Sequence, residues 1–87
     1  MKKVVISLGG SVIVPNKVDF SYLRDFKTVI KEFSKGNKVV IVTGGGKTAR
    51  NYLLPLQKAR MPKRVASLVG IASTRLNARL VAGMFGV

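Results

Sequence analysis

The chain contains no cysteine and no histidine in its 87 residues. Without cysteine it can form neither a disulfide nor a thiolate metal site. Without histidine it lacks the side chain that most often serves as a general base or as a metal ligand. These 87 residues alone therefore cannot form an active site whose chemistry requires a cysteine or a histidine side chain.

Acidic residues are scarce as well. Asp19, Asp25 and Glu32 face sixteen Lys and Arg, which gives a formal net charge of +13, and no acid follows Glu32. Three scattered carboxylates cannot build a dedicated metal cage. We therefore expect no metal bound by protein ligands, and any Mg²⁺ would arrive on the phosphates of a ligand. The charge favours anionic partners, with a solvated basic face as the plain alternative.

Long apolar runs are also missing. The run that ends at Leu8 is too short for a signal peptide or a membrane span. A more apolar stretch near the end of the chain is interrupted by Arg75 and Arg79, which argues against a span there. We predict a cytoplasmic protein with no membrane partner.

Two β-branched runs, at residues 3–8 and 38–43, predict two parallel strands, and the first, which is nearly all apolar, is expected to be buried on both faces of the sheet. Between them, apolar residues at helical spacing predict a helix over residues 20–35. Asp19 is its expected N-cap and Gly36 its C-terminal stop. Strand, helix and strand form a right-handed βαβ unit.

The rest of the chain predicts a loop at residues 9–17 and two further helices. One should begin near Lys47 and be kinked or ended by Pro55, and the other should run over residues 65–85. We predict one α/β domain over residues 1–87, with two parallel strands and about three helices. Its strand edges need cover, either from oligomerisation or from a missing C-terminal half.

Glycines follow each predicted strand at once, as Gly9-Gly10-Ser11 and as Gly44-Gly45-Gly46. Glycine lets the backbone approach an anion closely and leaves its N–H groups unobstructed. Two such turns in a strongly basic chain indicate a phosphorylated ligand, with plain tight turns as the alternative.

Two familiar phosphate motifs fail on spacing. A Walker P-loop ending at Gly46-Lys47-Thr48 needs a glycine where Ile41 stands. The dinucleotide pattern G-x-G-x-x-G has Ala49 at its third glycine position, and no downstream acid is present to hold a ribose.

Three ordered segments fit another pattern: VVISLGGS at residues 4–11, VIVTGGGKTAR at 40–50 and GIASTRLNA at 70–78. Together they resemble the amino acid kinase superfamily, and within it the archaeal-type UMP kinases. The likeness covers the whole chain but only the N-terminal part of such a kinase. It implies part of an α/β/α sandwich, transfer of the γ-phosphoryl group of ATP to UMP, and a place in pyrimidine biosynthesis.

The resemblance also implies roles for individual residues, although it assigns no catalytic one. Contacts to ATP and to the transferring phosphate fall on Ser7, Leu8, Gly9, Gly10, Ser11, Gly45 and Arg50. Gly44 would lie against UMP. A subunit-contact or helix-packing signature falls on Thr74, Arg75 and Asn77.

The sequence departs from the family at two positions and in length. Ser7 stands where many members carry a lysine, and Ser67 stands where the family has an aspartate that binds the UMP ribose. The family's C-terminal half, which holds the rest of the site, is not in this sequence. We therefore expect a nucleotide-binding chain that is incomplete or inactive alone. The alternatives are a basic module that binds RNA or another polyanion, and a self-associating structural fragment.

Overall fold

The computed structural model describes residues 2–87, and Met1 lies outside the described residues. Strands β1 (Lys2–Leu8) and β2 (Asn37–Thr43) form a parallel two-stranded sheet. Lys2 pairs with Asn37 at one end of the ladder, and Leu8 pairs with Thr43 at the other. Helix α2 (Phe20–Phe33) connects the two strands, which confirms the predicted βαβ unit.

Helix α2 has the predicted signals at both ends. The Asp19 carboxylate accepts a hydrogen bond from the Tyr22 amide at 3.0 Å and so caps the helix. Beyond the C-terminus, Gly36 has φ of +83°, a left-handed conformation that favours glycine. Leu23 and Ile30 are the buried residues of this helix.

The hydrophobic core lies between one face of the sheet, α2 and the long last helix, α4 (Lys63–Met84). Ile13 and Leu23 are its largest fully buried side chains. Leu8, at the end of β1, and Val81, on α4, complete it together with Val14. The core therefore lies beside the carboxyl end of β1.

The opposite face of the sheet is open, so the prediction that the first strand is buried on both faces is wrong. Val5 is 62% exposed, Val40 36% and Val42 51%. A β-branched run indicates a strand, but it does not say whether a second layer of helices covers it. The described residues supply helices against the Val39 and Ile41 face only.

The loop predicted at residues 9–17 contains a single helical turn, α1 (Gly10–Ile13). The Val14 amide donates to the Gly10 carbonyl at 2.8 Å and closes this turn. Burial of Ile13 and Val14 stabilises the turn, although it is too short to show helical periodicity in the sequence. The described residues therefore hold four helices where about three were expected.

Helix α3 (Gly46–Lys58) passes through Pro55, so of the two predicted effects of this proline, a kink or an end, the end is wrong. The Ala59 amide donates to the Pro55 carbonyl at 2.9 Å, and the helix closes normally after the proline. Proline removes one donor, and the carbonyl four residues earlier, on Asn51, is at an exposed position where water can replace that donor. Within residues 2–87, none of the helices combines the length and hydropathy that a membrane crossing requires.

Candidate nucleotide-phosphate site

The two glycine turns lie side by side at the carboxyl edge of the sheet. Leu8 and Thr43 end the two strands and are paired with each other, so the following glycines leave the sheet at the same point. In parallel α/β sheets, this edge is where ligands bind. Topology therefore places both predicted turns at one site.

Contact between the turns is made backbone to backbone. A Cβ atom at Gly10 would lie 2.2 Å from the nitrogen of Gly46 and 2.6 Å from that of Gly45. Conversely, a Cβ atom at Gly46 would lie 2.2 Å from the carbonyl oxygen of Gly10. Since backbone atoms cannot move aside cheaply, Gly10 and Gly46 are needed for this approach. At Gly9 a Cβ atom would have room, because its nearest neighbour is 4.0 Å away.

The second turn has a backbone conformation suited to anions. Gly45 is in the right-handed region, with φ of −89° and ψ of −30°, and Gly46 follows with φ of +61°. Such a succession directs neighbouring N–H groups into one concavity. The Lys47 amide already donates to the Val14 carbonyl at 3.0 Å, whereas those of Gly45 and Gly46 donate to no backbone acceptor within residues 2–87. Two amides of this turn therefore have no backbone hydrogen-bond partner within residues 2–87.

Arg50 connects the two turns through its side chain. It lies one helical turn into α3, and its Nη1 donates to the Ser11 hydroxyl, in α1, at 3.2 Å. Both residues are exposed, so the guanidinium keeps other donors that face solvent. A guanidinium fork binds phosphate with charge-assisted and often paired hydrogen bonds. Arg50 is thus placed to bind a phosphate between the turns.

Helix α4 supports the second turn with polar contacts. The Asn77 Nδ2 donates to the carbonyl oxygens of Gly44, at 2.8 Å, and of Gly45, at 3.1 Å. The Thr43 hydroxyl donates to the Thr74 carbonyl at 3.1 Å. These contacts tie the end of β2 and the turn to one helix.

Of the two predicted roles for Asn77, a subunit contact or helix packing, the structure favours helix packing within this chain. Its side chain is 2% exposed and hydrogen bonded within this chain, so it is not accessible to another subunit. Arg75 is exposed and Thr74 half-buried, and both stay candidates for a subunit contact. The hydrogen bonds of Asn77 to the glycine turn were not predicted, although Ser73, Asn77 and Val81 recur every four residues as the buried residues of α4.

The remaining predicted residues take different places. The Leu8 side chain is buried in the core, so only its backbone can serve a ligand. Ser7 is exposed on the open face of the sheet, and Ser67 is exposed on α4. The acidic residues are used by α2: Asp19 caps it, while Asp25 and Glu32 form exposed ion pairs with Arg24 and Lys35.

Comparison with known proteins identifies the family and the fold of the chain. The profile of the amino acid kinase family matches residues 2–87. The chain belongs to the amino acid kinase family. The predicted fold class is confirmed by the crystal structure of uridylate kinase from Archaeoglobus fulgidus, which superposes with a TM-score of 0.82 at 37% identity over 97% of this chain.

Named relatives are similar over nearly the whole chain. It is 43% identical to the uridylate kinase of Thermoplasma acidophilum over 83 residues, or 95% of this chain. It is 41% identical to that of Methanoculleus marisnigri over 85 residues, or 97% of this chain. The match covers 36% of each relative and 37% of the Archaeoglobus chain, so this sequence spans about a third of their length.

Proposed function

We propose that this chain is the phosphate-binding part of a UMP kinase. The first glycine turn would bind the phosphates of ATP through the backbone from Ser7 to Ser11, and Gly44 would lie against UMP. The observation that carries the proposal is the direct contact of the two turns, with Arg50 bridging them. The names of the similar proteins also support the proposal, because both relatives described above are uridylate kinases.

The geometry suits phosphoryl transfer because that reaction depends mainly on positioning and charge neutralisation. Turns in backbone contact hold a donor and an acceptor phosphate within reach of one another. The N–H group of Gly45, which has no backbone acceptor within residues 2–87, would bind the phosphoryl group being transferred. Arg50 supplies a fixed positive charge at the same place.

Transfer itself is proposed for a complete site, to which further residues or a partner chain would contribute. Mg²⁺ would enter as the Mg²⁺–ATP complex, because residues 2–87 offer no group of three metal-ligating side chains. Assembly into a homo-oligomer and a cytoplasmic location belong to the same proposal. The named relatives are kinases and lend no support to the alternative of an RNA-binding module.

Titration of the 87-residue chain with ATP or UMP, followed by amide chemical shifts, tests the binding. We expect ATP to shift Gly9, Gly10 and Ser11, and UMP to shift Gly44 and Gly45. In Arg50→Ala we expect affinity to fall about tenfold, the loss typical of one hydrogen bond to a charged group.

The matched control is Arg64→Ala, which removes the same charge from an exposed position on α4. It should leave nucleotide affinity nearly unchanged. Equal losses in the two variants would mean that only net charge matters. Binding to an extended polyanion would instead weaken steeply with salt. Absence of shifts at both turns would overturn the proposal.

A further inference from the structure

The buried side chain of Asn77 meets two backbone carbonyls of the second glycine turn. Its Nδ2 lies 2.8 Å from the Gly44 oxygen and 3.1 Å from the Gly45 oxygen. Carbonyl oxygens only accept hydrogen bonds, and a carboxamide nitrogen carries two N–H groups. The Asn77 amide therefore has one proton for each carbonyl, which neither aspartate nor serine could supply.

Holding these carbonyls also sets the direction of two amides. In a planar trans peptide the C=O and the N–H of one unit point in opposite directions. With the Gly44 and Gly45 oxygens turned toward α4, the N–H groups of Gly45 and Gly46 must point away from it. Both nitrogens lie beside Gly10, within 2.6 Å of where a Cβ atom there would be. The two nitrogens thus lie on the side of the turn that is next to the first glycine turn.

We propose that Asn77 is a positioning residue, whose carboxamide aims the Gly45 and Gly46 amides at a phosphate bound between the turns. The inference rests on the proposed function, since it takes a phosphate as the acceptor of these amides. Three successive glycines leave the peptide units of this turn free to rotate. An anchor on the carbonyl side removes that freedom before the ligand arrives, which is preorganisation.

The test uses the 87-residue chain with inorganic pyrophosphate as the probe at low salt. Asn77→Asp keeps the side-chain shape but removes both donors and places a carboxylate against two carbonyl oxygens. Asn77→Ala removes the group. In both variants we expect the Kd for pyrophosphate to rise about tenfold or more, as two charge-assisted hydrogen bonds lose their alignment. Without ligand, the N–H residual dipolar couplings of Gly45 and Gly46 should change relative to those of α4.

The matched control is Val81→Ala. Val81 lies one helical turn further along the same buried stripe and is 4% exposed in the apolar core. Its truncation should lower stability while leaving the Gly45 and Gly46 couplings, and the pyrophosphate Kd of the folded protein, unchanged. A residue with only a structural role would behave like Val81.

The outcomes separate this inference from the proposed function. Parent-like affinity and couplings in the Asn77 variants, with a parent chain that binds, would overturn the inference and leave the function standing. A parent chain that binds neither pyrophosphate nor nucleotide would overturn the function. In that case the positioning role of Asn77 would be judged from the N–H residual dipolar couplings of Gly45 and Gly46 alone. If these couplings were the same in the Asn77 variants as in the parent chain, the positioning role would be overturned as well.

Discussion

The first glycine turn is anchored by apolar side chains, whereas the second is anchored by polar ones. Ile13 and Val14, just after the first turn, are 0% and 4% exposed and belong to the core. Directly before the second turn, Thr43 hydrogen bonds to α4, and Asn77 of that helix holds the turn itself. Similar sequence patterns thus have different physical support.

The difference follows from what each kind of anchor can fix. Apolar burial fixes where a segment lies, but it is non-directional and does not orient a peptide group. Hydrogen bonds orient a group, because their strength depends on angle. The first turn runs into α1, whose helical geometry orients its amides, while the second has three glycines and needs an external anchor. The turn with more backbone freedom is the one with directional contacts.

The largest effect is expected for Gly10→Ala, which disrupts the backbone contact between the two turns and so tests whether they are anchored separately. The new methyl group would lie within 2.6 Å of three backbone atoms of the second turn. These are backbone atoms, so they cannot move aside as the end of a flexible side chain could. We expect the free energy of unfolding, measured by urea denaturation, to fall by about 4 kcal/mol, at the upper end for one substitution.

The neighbouring glycine provides the control for this variant. Gly9 has φ of −59° and ψ of 140°, which alanine adopts readily, and its Cβ position is open. Gly9→Ala should change stability by less than about 0.5 kcal/mol. Similar losses in the two variants would show that a general loss of glycine flexibility, and not the contact, is being measured.

A second substitution tests the apolar anchor of the first turn. Ile13→Ala removes a wholly buried side chain and should cost about 3 kcal/mol of unfolding free energy, from lost burial and the cavity left behind. The amide shifts of the second turn should change little while the protein stays folded. If Gly45 and Gly46 shifted as much as Ser11, the two turns would share one support and the comparison would fail.

The local parts of this site could be predicted from the sequence, and the long-range parts could not. The Asp19 cap, the Gly36 stop and the strand positions depend on neighbouring residues, and the structure confirms them. The contact of Gly10 with Gly46 joins positions far apart in sequence, and a single sequence carries no signal for such a pair. Topology alone placed the two turns together, through the parallel register of β1 and β2.

The sequence also could not predict the burial of residues that occur in both buried and exposed positions. Asn77 is polar and lies in a helix next to Arg75, so an exposed or subunit-contact position was as reasonable as a buried one. Its burial depends on the turn that it meets across 33 residues of chain. The open face of the sheet has the same cause, because Val5 and Val42 are typical of strands whether or not helices cover them.

The smallest expected effect concerns the hydrogen bond between the side chains of Arg50 and Ser11, which links the two turns. Both residues are exposed and the hydrogen bond is 3.2 Å long, so water can replace it at little cost. A double-mutant cycle with Ser11→Ala and Arg50→Ala, measured by urea denaturation, should give a coupling of about 0.5 kcal/mol without ligand. Pyrophosphate binding should fall far more in Arg50→Ala than in Ser11→Ala, because the guanidinium can leave the hydroxyl for a phosphate. A coupling above about 1.5 kcal/mol would instead make the link structural, and the two turns would then not be independently anchored.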